Sequence, residues 1–406
     1  MTFKRDTLAL TALLGILTAL GPLSTDMYLS SLPSLTVTLD STPAEAQLTL
    51  SVFLLGFAST QIFYGPLSDR YGRRPVLLGG LAIFIVASAL CAAAQSMPLL
   101  IAARFLQAVG ASGPIVLARA VARDLYSGRR AGQELALMAS IMGVVPMFAP
   151  TIGGILEIAF GWRSVFIVTV ILGLVLAVVV ALRLPETLPE SAAEPPTPLG
   201  MIRIFGRLVR NPVFDVYVGL VCLSYGGLFA FISVASFVLQ DLYGLSPIQF
   251  GITFGVCSVG YVAGTLTGRR VTGRHGIDAA IGVGAALMAL GGTATLALVL
   301  TDIGGVLALI AASTLFFAGV GSALAQSMAG ALMPFPGNAG AASSFMGVCQ
   351  MTFAALTGVI VAAALDAELF ADQALPLALA FVVLAYAAVA LFLLSGNLRR
   401  TAQNDG

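Results

Sequence analysis

Long apolar stretches alternate with short polar breaks along almost the whole chain. A helix that crosses a lipid bilayer needs about 20 mainly apolar residues. Stretches that meet this length lie near residues 7–33, 44–64, 75–94, 98–121, 133–158, 163–184, 213–239, 246–267, 277–299, 304–327, 340–364 and 374–395. The pattern therefore predicts an all-α membrane protein with twelve transmembrane helices.

The longest polar stretch lies at the middle of the chain, where residues 185–212 begin with PETLPESAAEPPTP. Six predicted helices precede it and six follow it, which indicates two six-helix halves joined by a linker. We predict four parts: the N-terminal half (1–184), a central cytoplasmic loop (185–212), the C-terminal half (213–395) and a cytoplasmic tail (396–406).

Composition supports the membrane class, because 58% of the residues are hydrophobic and only 10% are charged, against about 25% charged in soluble proteins. The net charge of +1 argues against nucleic-acid binding, which favours a basic surface. The four cysteines show no CxxC spacing, His275 is the only histidine, and no phosphate-binding P-loop sequence occurs. We therefore expect no metal, no nucleotide or other cofactor, and no enzyme active site.

The basic residues indicate the orientation of the helices. Eighteen of the 20 Lys and Arg residues fall on one side of the predicted topology. Cytoplasmic loops of membrane proteins carry an excess of Lys and Arg. This distribution predicts that both termini lie in the cytoplasm.

The apolar pattern is broken most sharply at residues 65–75, GPLSDRYGRRP, where one acid and three arginines stand between two apolar stretches. We predict a loop between the second and third helices, in which Gly65 and Gly72 allow close packing and a sharp turn and Pro75 can start the next helix. The arginines could serve only as an anchor at the cytoplasmic membrane face. An anchor needs no acid, so Asp69 indicates an additional role.

A positive partner for this acid could come from a helix N-terminus on the same side. The eleventh helix, which begins near NAGAASSF at 338–345, is a candidate. The second half carries a weak copy of the loop, since GTLTGRRVTG at 264–273 aligns with it after a shift of 199 residues and pairs Arg70 with Arg269. Duplicated halves place a substrate site near the membrane midplane, between the two halves.

The sequence GPLSDRYGRRP closely resembles the G-x-L-x-D-R-x-G-R-R loop signature of the major facilitator superfamily. Further segments resemble the bicyclomycin and chloramphenicol resistance (Bcr/CflA) branch of drug/proton antiporters, namely STDMYLSSLP (24–33), RFLQAVGASG (104–113), LARAVARDLY (117–126) and LRLPETLPE (182–190). The resemblance implies a proton-coupled antiporter that exports small drugs, amphenicol-like or of several classes, across the bacterial inner membrane by alternating access. It also implies a monomer in the lipid bilayer that is not an enzyme and needs no cofactor besides the coupling proton.

In the superfamily this loop acts as an inner gate, so the resemblance implies a charge cluster at the cytoplasmic ends of the helices. Asp69 would pair with Arg73 and with the start of the eleventh helix, and Asp124 would join them. The cluster would hold the two halves together while the outside is open. The residues assigned to the gate are Gly65, Asp69, Arg70, Gly72, Arg73, Arg74 and Asp124.

Two charged residues, Asp26 and Arg104, lie inside predicted membrane helices, where a charge is costly and usually functional. Counted at 1.5 Å per residue from the predicted helix ends, both lie about 10 Å below the outer surface, so they could pair. Burial raises the pKa of a carboxylic acid and a nearby arginine lowers it, so a drug could shift the balance and release a proton. The resemblance implicates both residues in proton coupling. The alternatives are a purely structural ion pair and a shorter first helix that leaves Asp26 in an outer loop.

The chain departs from the family pattern at Ser30, where the family often has proline, and at Ala108, where glycine is usual. In the fifth helix, GVVPMFAPTIGG combines bending by proline with close approach at small residues. It resembles the exporter signature G-P-x-x-G-G, with Ala149 in place of the first glycine. The resemblance implies antiport and a seal against leak, whereas a kinked packing helix is the alternative. The residues assigned to the motif are Pro146, Pro150, Gly153 and Gly154.

Polar and aromatic residues within the apolar helices are candidates for the drug site, namely Tyr28, Gln107, Tyr225, Phe229, Phe231, Gln326, Phe345 and Gln350. Few acids accompany them, which suits neutral or weakly polar drugs at least as well as multivalent cations. Glu134 and Asp215, near the inner ends of the fifth and seventh helices, are interpreted as interfacial residues.

Two other functions stay open. A major-facilitator importer or exporter of a metabolite, such as a sugar or organic anion, would share the fold, although importers of anions usually need more intramembrane basic residues than Arg104. A membrane enzyme or a sensor is a different class, but the chain shows no convergent catalytic groups and no segment long enough for an added soluble domain.

Overall fold

The computed structural model describes residues 7–126, 128–188, 205–335, 339–367 and 372–399. All four predicted parts include residues outside the described ranges. They are 1–6 and 127 of the N-terminal half, 189–204 of the central loop, 336–338 and 368–371 of the C-terminal half, and 400–406 of the tail. Residue 338 stands at the predicted start of the eleventh helix.

Twelve helices in the described part of the chain are long and apolar enough to cross a membrane. They are α1 (Leu8–Thr38), α2 (Pro43–Tyr71), α3 (Arg73–Ala93), α4 (Met97–Leu125), α5 (Gln133–Phe160), α6 (Arg163–Arg183), α7 (Pro212–Leu242), α8 (Pro247–His275), α9 (Ile277–Thr301), α10 (Gly305–Leu332), α11 (Gly340–Asp366) and α12 (Leu375–Leu394). Each coincides with one predicted stretch, so the predicted all-α architecture of twelve helices is confirmed.

Helix α1 changes geometry partway along its length. An α-helical segment, Leu8–Asp26, passes into a 3-10 segment, Met27–Ser31, before α-helical geometry resumes over Leu32–Thr38. A 3-10 stretch has poorer hydrogen-bond geometry, and inside a longer helix it often marks a hinge. Asp26 is the last residue before this 3-10 segment, which is called here the hinge. It does not lie in a loop, because α1 continues to Thr38 rather than ending near residue 33.

The predicted loop at 65–75 is wrong. Helix α2 continues through the first charged residues to Tyr71, and α3 begins at Arg73. Gly72 alone separates the two helices, and its φ of 97° lies in the left-handed region that glycine adopts without a steric penalty. Pro75 is therefore the third residue of α3 rather than its first. An ideal Cβ at Gly65 would meet no described atom within 4 Å, so no close contact requires glycine there.

The second half uses the same turn after a longer helix. Helix α8 continues to His275, and Gly276, with a φ of 85°, is the break before α9. The two turn glycines are 204 residues apart in the chain, whereas the predicted alignment shifts the chain by 199 residues. The two halves therefore share the single-glycine turn, but at a shift that differs from the one predicted from the sequence alignment.

The helices group into two compact units. The first contains α1, most of α2, α3–α6 and the start of α8 (Ser246–Ile252), and the second contains the remaining helices with the start of α2 (Thr42–Gln47). The first unit has a mainly aliphatic core that includes Leu14 and Leu17 and also contains aromatic residues such as Phe84. The second has an aromatic core, in which the rings of Phe316 and Phe381 stack at 3.8 Å between centroids.

Candidate functional site

Arg104, on α4, is fully buried in the first unit. Its Nη1 donates hydrogen bonds to the Ser24 carbonyl oxygen at 3.2 Å and to Gln107 Oε1 at 2.6 Å. Its Nε and Nη2 have no hydrogen-bond partner among the described residues. Arginine stays protonated in proteins, so this is a buried positive charge with unused donors.

Three aromatic rings from three helices surround the guanidinium carbon of Arg104. The ring centroids of Phe53, Tyr28 and Phe166 lie 4.4, 4.9 and 5.8 Å away. The Tyr28 hydroxyl is hydrogen-bonded to the Thr49 hydroxyl at 3.1 Å, which fixes the ring. A desolvated cation on an aromatic face gains about 2 kcal/mol. The rings therefore offset part of the cost of burying this charge without neutralising it.

Gln107 is fixed from both ends of its amide. It accepts from Arg104, and its Nε2 donates to Ser88 Oγ on α3 at 2.8 Å. Residues three apart on a helix lie on one face, so the RxxQ spacing brings the arginine and the glutamine together. Tyr28 and Gln107, both predicted as drug-site residues, contact Arg104 in this structure.

Asp26 is buried in the same unit, directly before the hinge of α1. No described side chain donates a hydrogen bond to its carboxylate, and no ion pair joins it to Arg104. Arg104 instead contacts the backbone of Ser24, two residues earlier. The predicted pairing is therefore not formed in this structure, and these two buried ionisable residues lie on neighbouring helices without an ion pair between them.

Helix α5 packs against the hinge through the predicted antiporter motif. An ideal Cβ at Gly153 would overlap the Met27 carbonyl oxygen, so glycine is required there. Ser30 Oγ donates to the Pro150 carbonyl oxygen at 2.6 Å. Gly154 also lies close to the Pro247 backbone, within the same unit, and an ideal Cβ there would overlap the Pro247 carbonyl oxygen. Pro146 lies one turn before Pro150, and the helix is assigned as continuous through both prolines.

A second cluster, called here the loop cluster, consists of Asp69, Arg73, Asp124 and Glu186. Arg73, the first residue of α3, forms ion pairs with Asp69 of α2 and with Asp124 of α4, the latter at 2.9 Å. Its Nη1 also donates to Ser68 Oγ at 2.6 Å. The structure thus brings together three of the predicted gate residues around one arginine.

Glu186 completes the loop cluster, and the sequence argument missed its role. Its carboxylate accepts from the backbone N–H groups of Arg73 at 2.8 Å and Arg74 at 3.1 Å, at the start of α3. Burial raises the pKa of Glu186, but N–H donors from Leu188, Arg73, Arg74 and Thr187 outweigh it, so the pKa lies below its usual value. The segment LRLPETLPE, used above only for its resemblance, contains this acid.

Two other predicted gate residues lie at the edge of the loop cluster. The Arg74 side chain donates to the Ala181 carbonyl oxygen at the end of α6. The Arg70 guanidinium stacks on the Tyr71 ring at 5.3 Å. Neither belongs to the ion-paired core.

The second unit contains a cluster with the opposite arrangement of charge. Asp278, in the first turn of α9, pairs with Arg399 at 2.7 Å and accepts a hydrogen bond from the Tyr217 hydroxyl at 3.1 Å. In the first unit the helix after the turn glycine carries the arginine and the segment after α6 carries the acid. In the second unit the helix carries the acid and the segment after α12 carries the arginine.

The predicted drug-site residues of the second unit are dispersed. Phe229 and Phe231 are buried, and Phe231 packs edge-on to Phe317 at 5.1 Å. Phe345 packs against Phe214 at 6.2 Å. Gln350 is also buried, whereas Tyr225 and Gln326 are partly exposed.

Glu134, interpreted from the sequence as an interfacial residue, has a buried carboxylate. It accepts from Thr11 Oγ1 of α1 at 3.0 Å and pairs with Arg130 at 2.8 Å. It therefore connects α1 to α5 at the end opposite the hinge.

Comparison with known proteins identifies the family. The Major Facilitator Superfamily model matches residues 14–362. The chain is 35% identical over 360 residues, 88% of its length and 89% of the relative's, to an uncharacterized MFS-type transporter YdgK of Bacillus subtilis. It is 30% identical over 363 residues, 89% of this chain and 91% of the relative, to a bicyclomycin resistance protein homolog of Haemophilus influenzae. It is also 30% identical over 335 residues, 82% of this chain and 83% of the relative, to the multidrug resistance protein MdtL of Salmonella paratyphi B.

Solved structures agree on the fold. The nucleoside transporter NupG superposes with a TM-score of 0.73 at 13% identity, covering 95% of this chain and 97% of that one. A bacterial homolog of the human lysosomal transporter Spinster, in an inward-facing conformation, gives 0.73 at 18% identity, covering 98% and 96%. Identities this low establish the fold and nothing more specific. With twelve membrane helices, the family model and the drug-resistance relatives, this chain belongs to the Major Facilitator Superfamily, in the Bcr/CflA branch of its transporters.

Proposed function

We propose that this transporter exports small drugs across the bacterial inner membrane in exchange for protons, by alternating access and with both termini in the cytoplasm. One observation carries the proposal. Asp26 and Arg104 are both buried in the membrane-spanning part of the first unit, and neither neutralises the other. Charges in such places are functional by default, because their burial is costly. The relatives named for bicyclomycin and multidrug resistance support drugs as the substrate.

Asp26 would carry the coupling proton. An unpaired carboxylate in an apolar environment is costly, so the neutral acid suits the environment of this structure. When the proton leaves, the new carboxylate needs donors, and Arg104 has unused ones at Nε and Nη2. The 3-10 segment next to Asp26 would supply the movement that brings the two together.

The loop cluster would form the cytoplasmic gate of the first half. Arg73 is held by two carboxylates and a hydroxyl, which favours a rigid arrangement at this end. Pairing of Asp69 with the start of α11 in the outward-open state stays part of the proposal. Asp69 is the more exposed of the two carboxylates, with 30% of its side chain accessible.

The substrate would be neutral or weakly polar, such as an amphenicol. Among the intramembrane residues singled out by the sequence, Asp26 is almost the only acid, so a multivalent cation would find few counter-charges.

The decisive experiment measures substrate-induced proton movement in inverted membrane vesicles. Wild type is compared with Asp26→Asn, using an amphenicol and a lipophilic cation as probes. The matched control is Asp40→Asn, which makes the same change at an exposed position after α1. We expect drug to dissipate the pH gradient in wild type and Asp40→Asn but not in Asp26→Asn. Proton movement in Asp26→Asn equal to wild type would place the proton carrier elsewhere, and no movement in any vesicle would favour a metabolite as the substrate.

A further inference from the structure

Ser30 is one of the residues at which this chain departs from the family pattern, and its hydroxyl makes a contact between two helices. It lies in the 3-10 segment of α1 and is almost completely buried. Its Oγ donates to the Pro150 carbonyl oxygen of α5 at 2.6 Å. Proline at position 30 has no such donor, so this contact requires a side chain with a hydrogen-bond donor at that position.

A second contact joins the same two segments. Gly153 of α5 lies so close to the Met27 carbonyl oxygen that no side chain fits between them. Met27 directly follows Asp26 in the chain. The 3-10 segment is therefore held against α5 at both of its ends, by backbone contact beside Asp26 and by a hydrogen bond three residues later.

These two contacts fix the position of the hinge relative to α5. Internal hydrogen bonds of a 3-10 segment are weak, so its position depends more on external contacts than that of a regular helix. A hydrogen bond between buried groups in a low-dielectric environment is also costly to leave unmade. Movement of Asp26 that displaces the hinge must therefore either break the Ser30 bond or carry α5 with it.

We propose that Ser30 is a positioning residue that couples the hinge beside Asp26 to α5, so that the hinge and the antiporter motif move together. This inference rests on the proposed function, in which Asp26 carries the proton. Ser30 acts on the position of Asp26 through the backbone of α1, which joins the two residues within the same helix. Without its hydrogen bond the hinge moves while α5 stays, and protons cross without drug.

The test uses the purified full-length protein in proteoliposomes, with two readouts. One is proton movement driven by an amphenicol or a lipophilic cation, and the other is proton leak without drug. The variants are Ser30→Ala, which removes the hydroxyl, and Ser30→Thr, which keeps it. The matched control is Ser34→Ala, because Ser34 Oγ also bonds to α5, at Glu157 Oε1 and 2.6 Å, outside the motif. Ser34 itself follows the 3-10 segment, although its Oγ also donates to the Ser31 carbonyl oxygen at 3.1 Å.

We expect the drug-free leak to rise about fivefold in Ser30→Ala, the factor that corresponds to one hydrogen bond of typical net strength. Drug-driven movement should fall in the same variant. Ser30→Thr and Ser34→Ala should match wild type in both readouts. A purely structural role for Ser30 would lower both signals together through loss of folded protein, without raising the leak.

If Ser30→Ala shows the same drug-free proton leak and the same drug-driven proton movement as wild type, the inference is overturned and the proposed function still stands. If wild type itself moves no protons with either drug, the proposed function fails and Ser30 is judged by leak alone. A leak in Ser30→Ala that Ser30→Thr lacks then supports the coupling, and its absence overturns it. If Ser30→Ala does not fold, Ser30→Cys, which keeps the volume but donates only weakly, replaces it under the same criteria.

Discussion

Arg104 and Arg73 are both buried in the same unit, and their positive charges are stabilised in opposite ways. Arg73 is held by two carboxylates and a hydroxyl, so its charge is neutralised locally. Arg104 is held by three aromatic rings, an amide and a backbone carbonyl, and two of its nitrogens have no partner among the described residues. An arginine that is already paired with carboxylates can change mainly by losing these partners. An arginine with unused N–H donors can instead gain a hydrogen-bond partner. The first arrangement suits a stable contact between helix ends, and the second suits a residue that changes its hydrogen-bond partners.

The largest effect is expected from Arg104→Lys, which keeps the charge and removes the planar fork. Lysine cannot contact the rings and donate at several fixed positions at once, so drug-driven proton movement should fall by more than about tenfold. The control is Arg163→Lys, because Arg163 also lies on an aromatic ring, at 4.2 Å from the Trp162 centroid, and donates to a backbone carbonyl. An equal loss of drug-driven proton movement in both variants would mean that the contacts of Arg104 have no particular role in transport.

Next is Arg73→Ala, which leaves Asp69 and Asp124 facing each other without a cation. Breaking a buried pair costs about 3–5 kcal/mol, and the partial exposure of Asp69 reduces this to about 1–3 kcal/mol. The thermal midpoint in detergent should therefore drop by several degrees. Arg123→Ala, at an exposed arginine beside the cluster, should leave it unchanged. An Arg73→Ala protein as stable as wild type would show that the ion pairs of Arg73 contribute no stability.

A smaller effect is expected from Phe53→Leu, which removes the ring nearest to the Arg104 charge. The variant should lose about 1–2 kcal/mol of cation–π stabilisation in addition to packing. Phe57→Leu is the matched control, since Phe57 stacks with Phe53 at 6.3 Å on the same helix. Unfolding followed by fluorescence should show the larger shift for Phe53→Leu, and equal shifts would indicate packing alone.

The smallest effect is expected from Glu186→Gln, and it should depend on pH. Because the pKa of Glu186 in the folded protein lies below its usual 4.5, its contribution is complete above about pH 4.5 and is lost as the pH falls through the lowered value. The gap in thermal midpoint between wild type and Glu186→Gln should therefore be constant near neutral pH and close in acid. A gap that widens in acid would contradict this assignment.

Much of the molecule follows from its sequence. Twelve apolar stretches determined twelve helices, because a chain in lipid must satisfy its backbone hydrogen bonds within each segment. Charged residues in apolar surroundings also marked Asp26 and Arg104, since such burial is rarely tolerated without a function. The cluster around Arg73 could be predicted in part, because its acids and its arginine lie at neighbouring helix ends.

Only the tertiary structure decided how these residues are used. Periodicity does not reveal that GPLSDRYGRRP is mostly helix, because a single glycine with positive φ is enough to separate α2 from α3. The partners of Arg104 come from α1, α2, α4 and α6. The N–H groups at the start of α3 are bound by a residue after α6, and Ser30 meets Pro150 across 120 positions. Side chains so distant in the chain meet only through helix packing, which depends on the shapes of all the surfaces together rather than on any local pattern.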